Sequence, residues 1–155
     1  DIKFQRVEHI AVFTCEEAAE HVAPLPGAHT KNLFLRDGKG RRHFLVVVEW
    51  DKRVDLKMLS NLLEVSNLGM ASPERLAKQL GVEPCAVTLL ALVNDSAGTV
   101  EVVIDRVLWE ADALQCHPLV NTATMAIGQS GIEAFLRHTG HLPKILEVPS
   151  RQVRA

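Results

Sequence analysis

No apolar run in the chain comes near the roughly 18 residues that would cross a bilayer, and no signal peptide is visible. Both absences favour a cytoplasmic protein that does not enter membranes, although the chain begins at Asp1 without a methionine and leaves a preceding segment open. Cysteine is scarce: Cys15, Cys85 and Cys116 are scattered and form no C-x-x-C pair. That speaks against a disulfide framework or a zinc knuckle and for free thiols in a reducing compartment. An excess of one charge is missing too, since the formal net charge is only −2. Such a balance argues against an extended nucleic-acid-coating surface but leaves room for a small local phosphate site. The chain also lacks G-x-G-x-x-G, G-x-x-x-x-G-K-[ST] and G-x-S-x-G, so nothing advertises nucleotide hydrolysis or a serine hydrolase. There are no repeats, no low-complexity segments and no linker.

What is present is an ordinary globular composition, 47% hydrophobic and 23% charged over 155 residues. That length fits one domain, which can bury roughly 70% of its unfolded surface. Ile2 to Ile10 reads as a first strand. Thr14 with Glu17 three residues on is a capping-box pattern that opens a helix over about Cys15 to Val22. Leu33 to Leu35 and Phe44 to Trp50 read as strands of a hairpin around Asp37-Gly38-Lys39-Gly40. Leu56, Leu59 and Leu63 give Asp55 to Val65 the spacing of an amphipathic helix, and Ser72-Pro73-Glu74 opens another that Gly81 closes. Val87 to Val93 and Thr99 to Ile104 flank the turn residues 94–98 and predict a second hairpin. A helix from about Ser130 to Thr139 and a strand from Lys144 to Val148 complete the reading. The expectation is a single α/β (α+β) domain over 1–150, a mixed sheet flanked by helices, with a frayed tail at 151–155.

Candidate sites are few. In Gly27-Ala28-His29-Thr30-Lys31-Asn32-Leu33-Phe34-Leu35-Arg36-Asp37 a polar loop runs into an apolar strand, with Lys31 at the junction. From local sequence alone such a lysine is as readily solvated as functional. His117, between Cys116 and Pro118, is equally open to a structural or a catalytic role. Gly38-Lys39-Gly40-Arg41-Arg42 could grip phosphate, or could be a solvated hairpin tip. His138 and His141 straddle the helix-ending Gly140 and would diverge, which argues against a metal site. Thr14 is open between a helix cap and a pocket role. Asn32, Asn94 and Thr122 are open between turn hydrogen bonding and substrate contact.

Taken together, several patches resemble the aminoacyl-tRNA editing family called YbaK/ProX, also found inserted in some prolyl-tRNA synthetases. They are H-T-K-N-L-F-L-R-D at 29–37, A-S-P-E-R-L at 71–76, L-G-V-E-P at 80–84, N-D at 94–95, H-P-L-V-N-T-A-T at 117–124 and F-L-R-H-T-G-H at 135–141. Each is weak alone, but the ordered set covers nearly the whole chain. The resemblance implies the family's editing-domain fold and an enzyme that hydrolyses the ester between a wrongly attached amino acid and the terminal adenosine of tRNA. The first guess for the substrate is alanine on tRNA(Pro), and prolyl-tRNA synthetase is a candidate partner. No cofactor and no metal are implied. The lysine of the K-N-L-F-L motif, here Lys31, is implied as the central residue, with the histidine of H-P-L, here His117, in the same pocket. Thr14, Asn32, Phe34, Asn94, Asn121 and Thr122 are further expected substrate contacts, together with the loop Cys85, Ala86, Val87, Thr88 and Leu89. The same pocket without turnover, as a binding module, is the alternative reading.

That loop departs from the family. Relatives usually carry Gly-x-x-x-Pro where this chain has Cys85-Ala86-Val87-Thr88-Leu89, and Pro-Phe where it has Leu89-Leu90. Added bulk at Cys85 and a restored N–H at Leu89 are expected to change the pocket floor. Asn67 stands where close relatives often carry a basic residue.

Overall fold

The computed structural model describes residues 1–13 and 24–151. Among the described residues eight strands form two sheets. The larger has the order β4-β2-β3-β5-β8, built from β2 (Thr30–Arg36), β3 (His43–Glu49), β4 (Gly69–Met70), β5 (Val100–Asp105) and β8 (Lys144–Leu146). The smaller, in the order β1-β7-β6, comprises β1 (Phe4–Glu8), β6 (Ala113–Cys116) and β7 (Ala123–Gly128) and is antiparallel throughout. In the larger sheet β2 pairs antiparallel with β3 and β4, whereas β3–β5 and β5–β8 are parallel. The expected mixed sheet is therefore present, accompanied by a second one.

Strand β3 is central and buried from His43 to Val48. A strand covered on both faces needs no polar alternation, and this one reads as a continuous apolar run. On one face Leu45 and Val47 join Phe34, Leu76, Leu80, Leu92, Leu114, Ile127 and Leu136 in a core between the two sheets. On the other, Phe44, Val46 and Val48 pack with Leu35, Leu59, Leu63 and Val148.

The helices follow their local signals. In α1 (Leu56–Leu62) the Asp55 carboxylate accepts from Met58 N–H at 3.0 Å. In α2 (Pro73–Leu80) the Ser72 hydroxyl accepts from Arg75 N–H at 3.2 Å, and Gly81 ends the helix at φ +66°. Short α3 (Arg106–Trp109) and longer α4 (Gln129–Thr139) are the other α-helices among the described residues, α4 closing on Gly140. The helix expected over Cys15 to Val22 lies outside the described residues.

The second expected hairpin is not formed. Leu89–Asn94 is a 3-10 helix that follows a 3-10 turn at Pro84–Ala86, and β5 pairs parallel with β3 instead. The physical reason is local capping combined with burial. Thr88 caps the turn by accepting from Leu90 N–H at 3.3 Å, and Leu89, Leu90, Ala91 and Leu92 are all buried, so the run has no polar face to mark a strand. Strand β7, in a region to which the sequence reading assigns no element, pairs with β6 across the loop 117–122.

Candidate functional site

The beginning of β2, the end of β3, the end of β6 and the start of β7 meet at one corner of the molecule. Two clips hold this corner together, one between the sheets and one from β6 to the loop before β2. Thr30 Oγ1 donates to the Gln115 carbonyl at 2.7 Å, and Gln115 Nε2 donates to the Leu25 carbonyl at 2.9 Å. Gly27, at φ +99°, lets the incoming chain lie against β6: a Cβ there would stand 2.9 Å from the Ala113 carbonyl carbon. The corner encloses a cavity of about 230 Å³.

One wall comes from β2 as Thr30, Lys31 and Asn32. Alternation along the strand sets Thr30, Asn32 and Phe34 on one face and Lys31, Leu33 and Leu35 on the other. Phe34 packs in the core between the sheets, and Leu35 in the core behind them. Strand β4 pairs with β2 only at Leu35 and Arg36, so β4 leaves the edge beside Lys31 open. Lys31 is half-buried at that edge. Asn32 Oδ1 is buried and has no hydrogen-bond partner among the described residues. A buried acceptor left empty costs about 1–3 kcal/mol, so this one is poised for a donor from a ligand or from water.

The opposite wall is Gln115, Cys116, His117 and Thr124. His117 Nδ1 lies 2.9 Å from the Ala123 carbonyl. A carbonyl can only accept, so Nδ1 carries the proton, and in the neutral ring Nε2 offers a lone pair. His9 repeats the pattern: Nδ1 donates to the Ile10 carbonyl at 2.7 Å, which leaves Nε2 to accept from the Thr124 hydroxyl at 2.9 Å. The His9 and His117 rings meet edge to face at 6.4 Å. Burial pushes the Cys116 thiol up to about 12, so this sulfur stays protonated and is no ready nucleophile. Pro84, Cys85 and Val87 form the floor, and Val12, Phe13, His29 and Trp50 the remaining lining.

The expected residues separate clearly. Lys31, Asn32, Cys85, Val87 and His117 line the cavity. Phe34, Ala86, Thr88 and Leu89 do not; all four are buried. Phe34 stacks on His43 at 5.5 Å, and Thr88 caps the 3-10 helix. Asn94 donates to the Leu80 carbonyl at 2.8 Å and closes α2. Asn121 Nδ2 donates to the Val12 carbonyl at 2.9 Å, holding a lining segment without lining the cavity itself, and Thr122 is exposed. Asn67 sits at the far end of the β2–β3 hairpin with φ +53°, its carbonyl accepting from Arg36 at 3.1 Å. Thr14 lies outside the described residues. Sequence reasoning missed Gln115 and Thr124 because neither β6 nor β7 was recognised; with β7 in place, Thr124 falls opposite Val7 next to His9. Among the described residues no three His, Cys, Asp or Glu side chains cluster as metal ligands, and His141 is hydrogen-bonded to Asp95 at 2.8 Å. No described helix is long and apolar enough to cross a membrane.

Residues 9–135 match the model of the aminoacyl-tRNA editing domain. The chain is 44% identical over 142 residues to the prolyl-tRNA synthetase associated domain-containing protein 1 of Danio rerio, covering 90% of this chain and 77% of the relative. It is 35% identical over 147 residues to the prolyl-tRNA editing protein ProX of Acetoanaerobium sticklandii, covering 95% and 90%. A crystal structure described as a candidate trans-editing enzyme for prolyl tRNA synthetase superposes with a TM-score of 0.71 over 96% of this chain and 87% of that one, at 21% identity, a likeness of fold.

Proposed function

Because the chain belongs to the aminoacyl-tRNA editing domain family, we propose that it is a trans-editing deacylase that removes a small amino acid from mischarged tRNA in the cytoplasm, alanine on tRNA(Pro) first. The observation that carries this reading is the meeting of Lys31, Asn32 and His117 on one small cavity where Asn32 Oδ1 is buried without a partner among the described residues. The ester carbonyl sits by the Lys31 ammonium, which stabilises the negative charge that develops as water adds to the carbonyl carbon. The tetrahedral intermediate then collapses, the ribose oxygen leaves with a proton, and the free amino acid departs. Asn32 Oδ1 and His117 Nε2 accept hydrogen bonds from the substrate ammonium or the ribose hydroxyl. An aminoacyl ester is labile enough that positioning and charge stabilisation suffice without a covalent step, consistent with the protonated Cys116.

Selection follows from size. A synthetase pocket rejects a smaller apolar side chain by only about 1–3 kcal/mol, and a second, tighter cavity sieves the resulting errors. In this chain Cys85 and Val87 set the floor of that sieve. Prolyl-tRNA synthetase is the natural source of the substrate. The test is ester loss from alanyl-, seryl-, threonyl- and 2-aminobutyryl-tRNA with wild type and Lys31→Ala. The expected result is hydrolysis of at least one, alanyl first, with the variant slower by about 10²–10³-fold. Hydrolysis of none, or at equal rates by both proteins, overturns the reading; binding of charged tRNA without hydrolysis would mark a binding module.

A further inference from the structure

The basic hairpin tip at 38–42 has no part in the cavity, yet its surroundings form a second concave surface. Arg41, Arg75 and Lys78 line a shallow groove between the tip and α2, with Glu74 as the opposing charge, and Lys39 stands exposed beside it. Three lining cations against one carboxylate leave +2 in a chain whose formal net charge is −2. The remaining charges at the tip are already engaged. Arg42 Nη2 is paired with Glu101 at 2.7 Å, and the Asp37 carboxylate accepts from the Arg41 and Arg42 backbone N–H groups at 2.8 and 3.1 Å.

Arg75 is held in place. Its Nη1 donates to the Gly40 carbonyl at 2.9 Å and lies 3.2 Å from His43 Nε2, and a Cβ on Gly40 would stand 2.5 Å from Nη2. Nε and Nη2 are left without a partner among the described residues. Arg41 and Lys78 likewise have no ionic partner among them. A fixed guanidinium flanked by free cations is suited to phosphate.

The groove also has a fixed relation to the cavity. The His43 ring, which lines it, stacks on Phe34, the next residue after Asn32 on that face of β2. His43 is in register with Arg36, four residues along the strand from Asn32, so the two sites lie about 14 Å apart. Helix α2 joins them, with Lys78 in the groove and the chain beyond Gly81 leading to Pro84 and Cys85 in the cavity floor.

We propose that this groove binds the phosphate backbone of the tRNA acceptor strand a few nucleotides before its esterified end, so that the 3′ terminus is delivered into the cavity. The inference rests on the deacylase reading for its ligand, but its test does not need turnover. Binding of uncharged tRNA is measured over a range of salt for wild type, Arg41→Ala/Lys78→Ala, and a control with two exposed cations removed elsewhere, Arg137→Ala/Lys144→Ala. In the groove variant binding is expected to weaken about tenfold at 0.1 M salt and the log–log salt slope to flatten by about 1.4–1.8, the share of two phosphate contacts. The control keeps wild-type binding and slope. On aminoacyl-tRNA, KM rises in the groove variant while kcat holds.

Unchanged binding and slope in the groove variant overturn the proposal. So does wild-type binding to phosphatidylserine vesicles but not to tRNA. Groove-dependent tRNA binding with no ester hydrolysis by wild type leaves the groove standing and removes the deacylase reading; Lys31-dependent hydrolysis with a groove variant indistinguishable from wild type does the reverse.

Discussion

His43 shows how neighbours, more than residue type, decide what a side chain does. Its ring is buried against Phe34, and Arg75 approaches its Nε2. Burial first, and the Arg75 charge second, hold it below the ordinary histidine value of 6.5. The unfolded chain therefore takes up this proton before the folded one does. The contribution of His43 to stability is present above pH 6.5 and is lost as pH falls from there through the lowered folded value. Urea titrations across that window should show wild type losing stability on acidification more steeply than His43→Gln. Parallel slopes for the two proteins would contradict this account. His117, by contrast, keeps one nitrogen for the Ala123 carbonyl and leaves the other for the cavity, a division set by a single backbone acceptor.

At the scale of elements, α2 connects groove and cavity, and its ends are tied by short-range chemistry. Ser72 caps one end, and Gly81, in a left-handed conformation, closes the other. Both signals are visible in the sequence, because capping depends on residues three or four positions apart. Ser72→Ala removes the acceptor for Arg75 N–H and should cost about 1 kcal/mol, read as a lower urea midpoint at unchanged slope. A midpoint equal to that of wild type would show the cap to be dispensable. Leu89–Asn94 behaves differently. Its apolar run suits a strand or a turn equally, and burial in the core between the sheets, together with the Thr88 cap, chose the turn.

Across the whole molecule, an ion pair between half-buried Lys52 and buried Asp105 ties the chain's later segments to the central sheet. Lys52 Nζ donates to Asp105 Oδ2 and to the Val148 carbonyl, and Asp105 Oδ1 accepts from Val148 N–H at 3.2 Å. Alongside, Asp55 N–H donates to the Pro149 carbonyl at 2.8 Å and Arg151 N–H to the Arg53 carbonyl at 2.7 Å. Removing one partner leaves the other buried and uncompensated. Lys52→Met should therefore cost about 3 kcal/mol in urea unfolding, and Lys52→Met/Asp105→Asn, which removes the charge but keeps an acceptor for Val148 N–H, should recover most of that loss. A double variant no more stable than the single one would show that the pair contributes more than mutual neutralisation.

The residues alone determined much. Helix ends at Asp55, Ser72, Gly81 and Gly140, the β2–β3 hairpin, and the editing-family likeness carried by Lys31-Asn32-Leu33-Phe34-Leu35 and His117-Pro118-Leu119 are all local in the chain. Tertiary structure alone decided the rest: the second sheet, the parallel pairing of β3 with β5, which of the motif residues face the cavity and which are core, and the groove that Arg41 forms with Arg75 and Lys78. The division has one cause. Caps and turns are satisfied by neighbours within a few residues, whereas a cavity wall is set by which distant faces bury each other, and burial is nondirectional until the whole chain has packed.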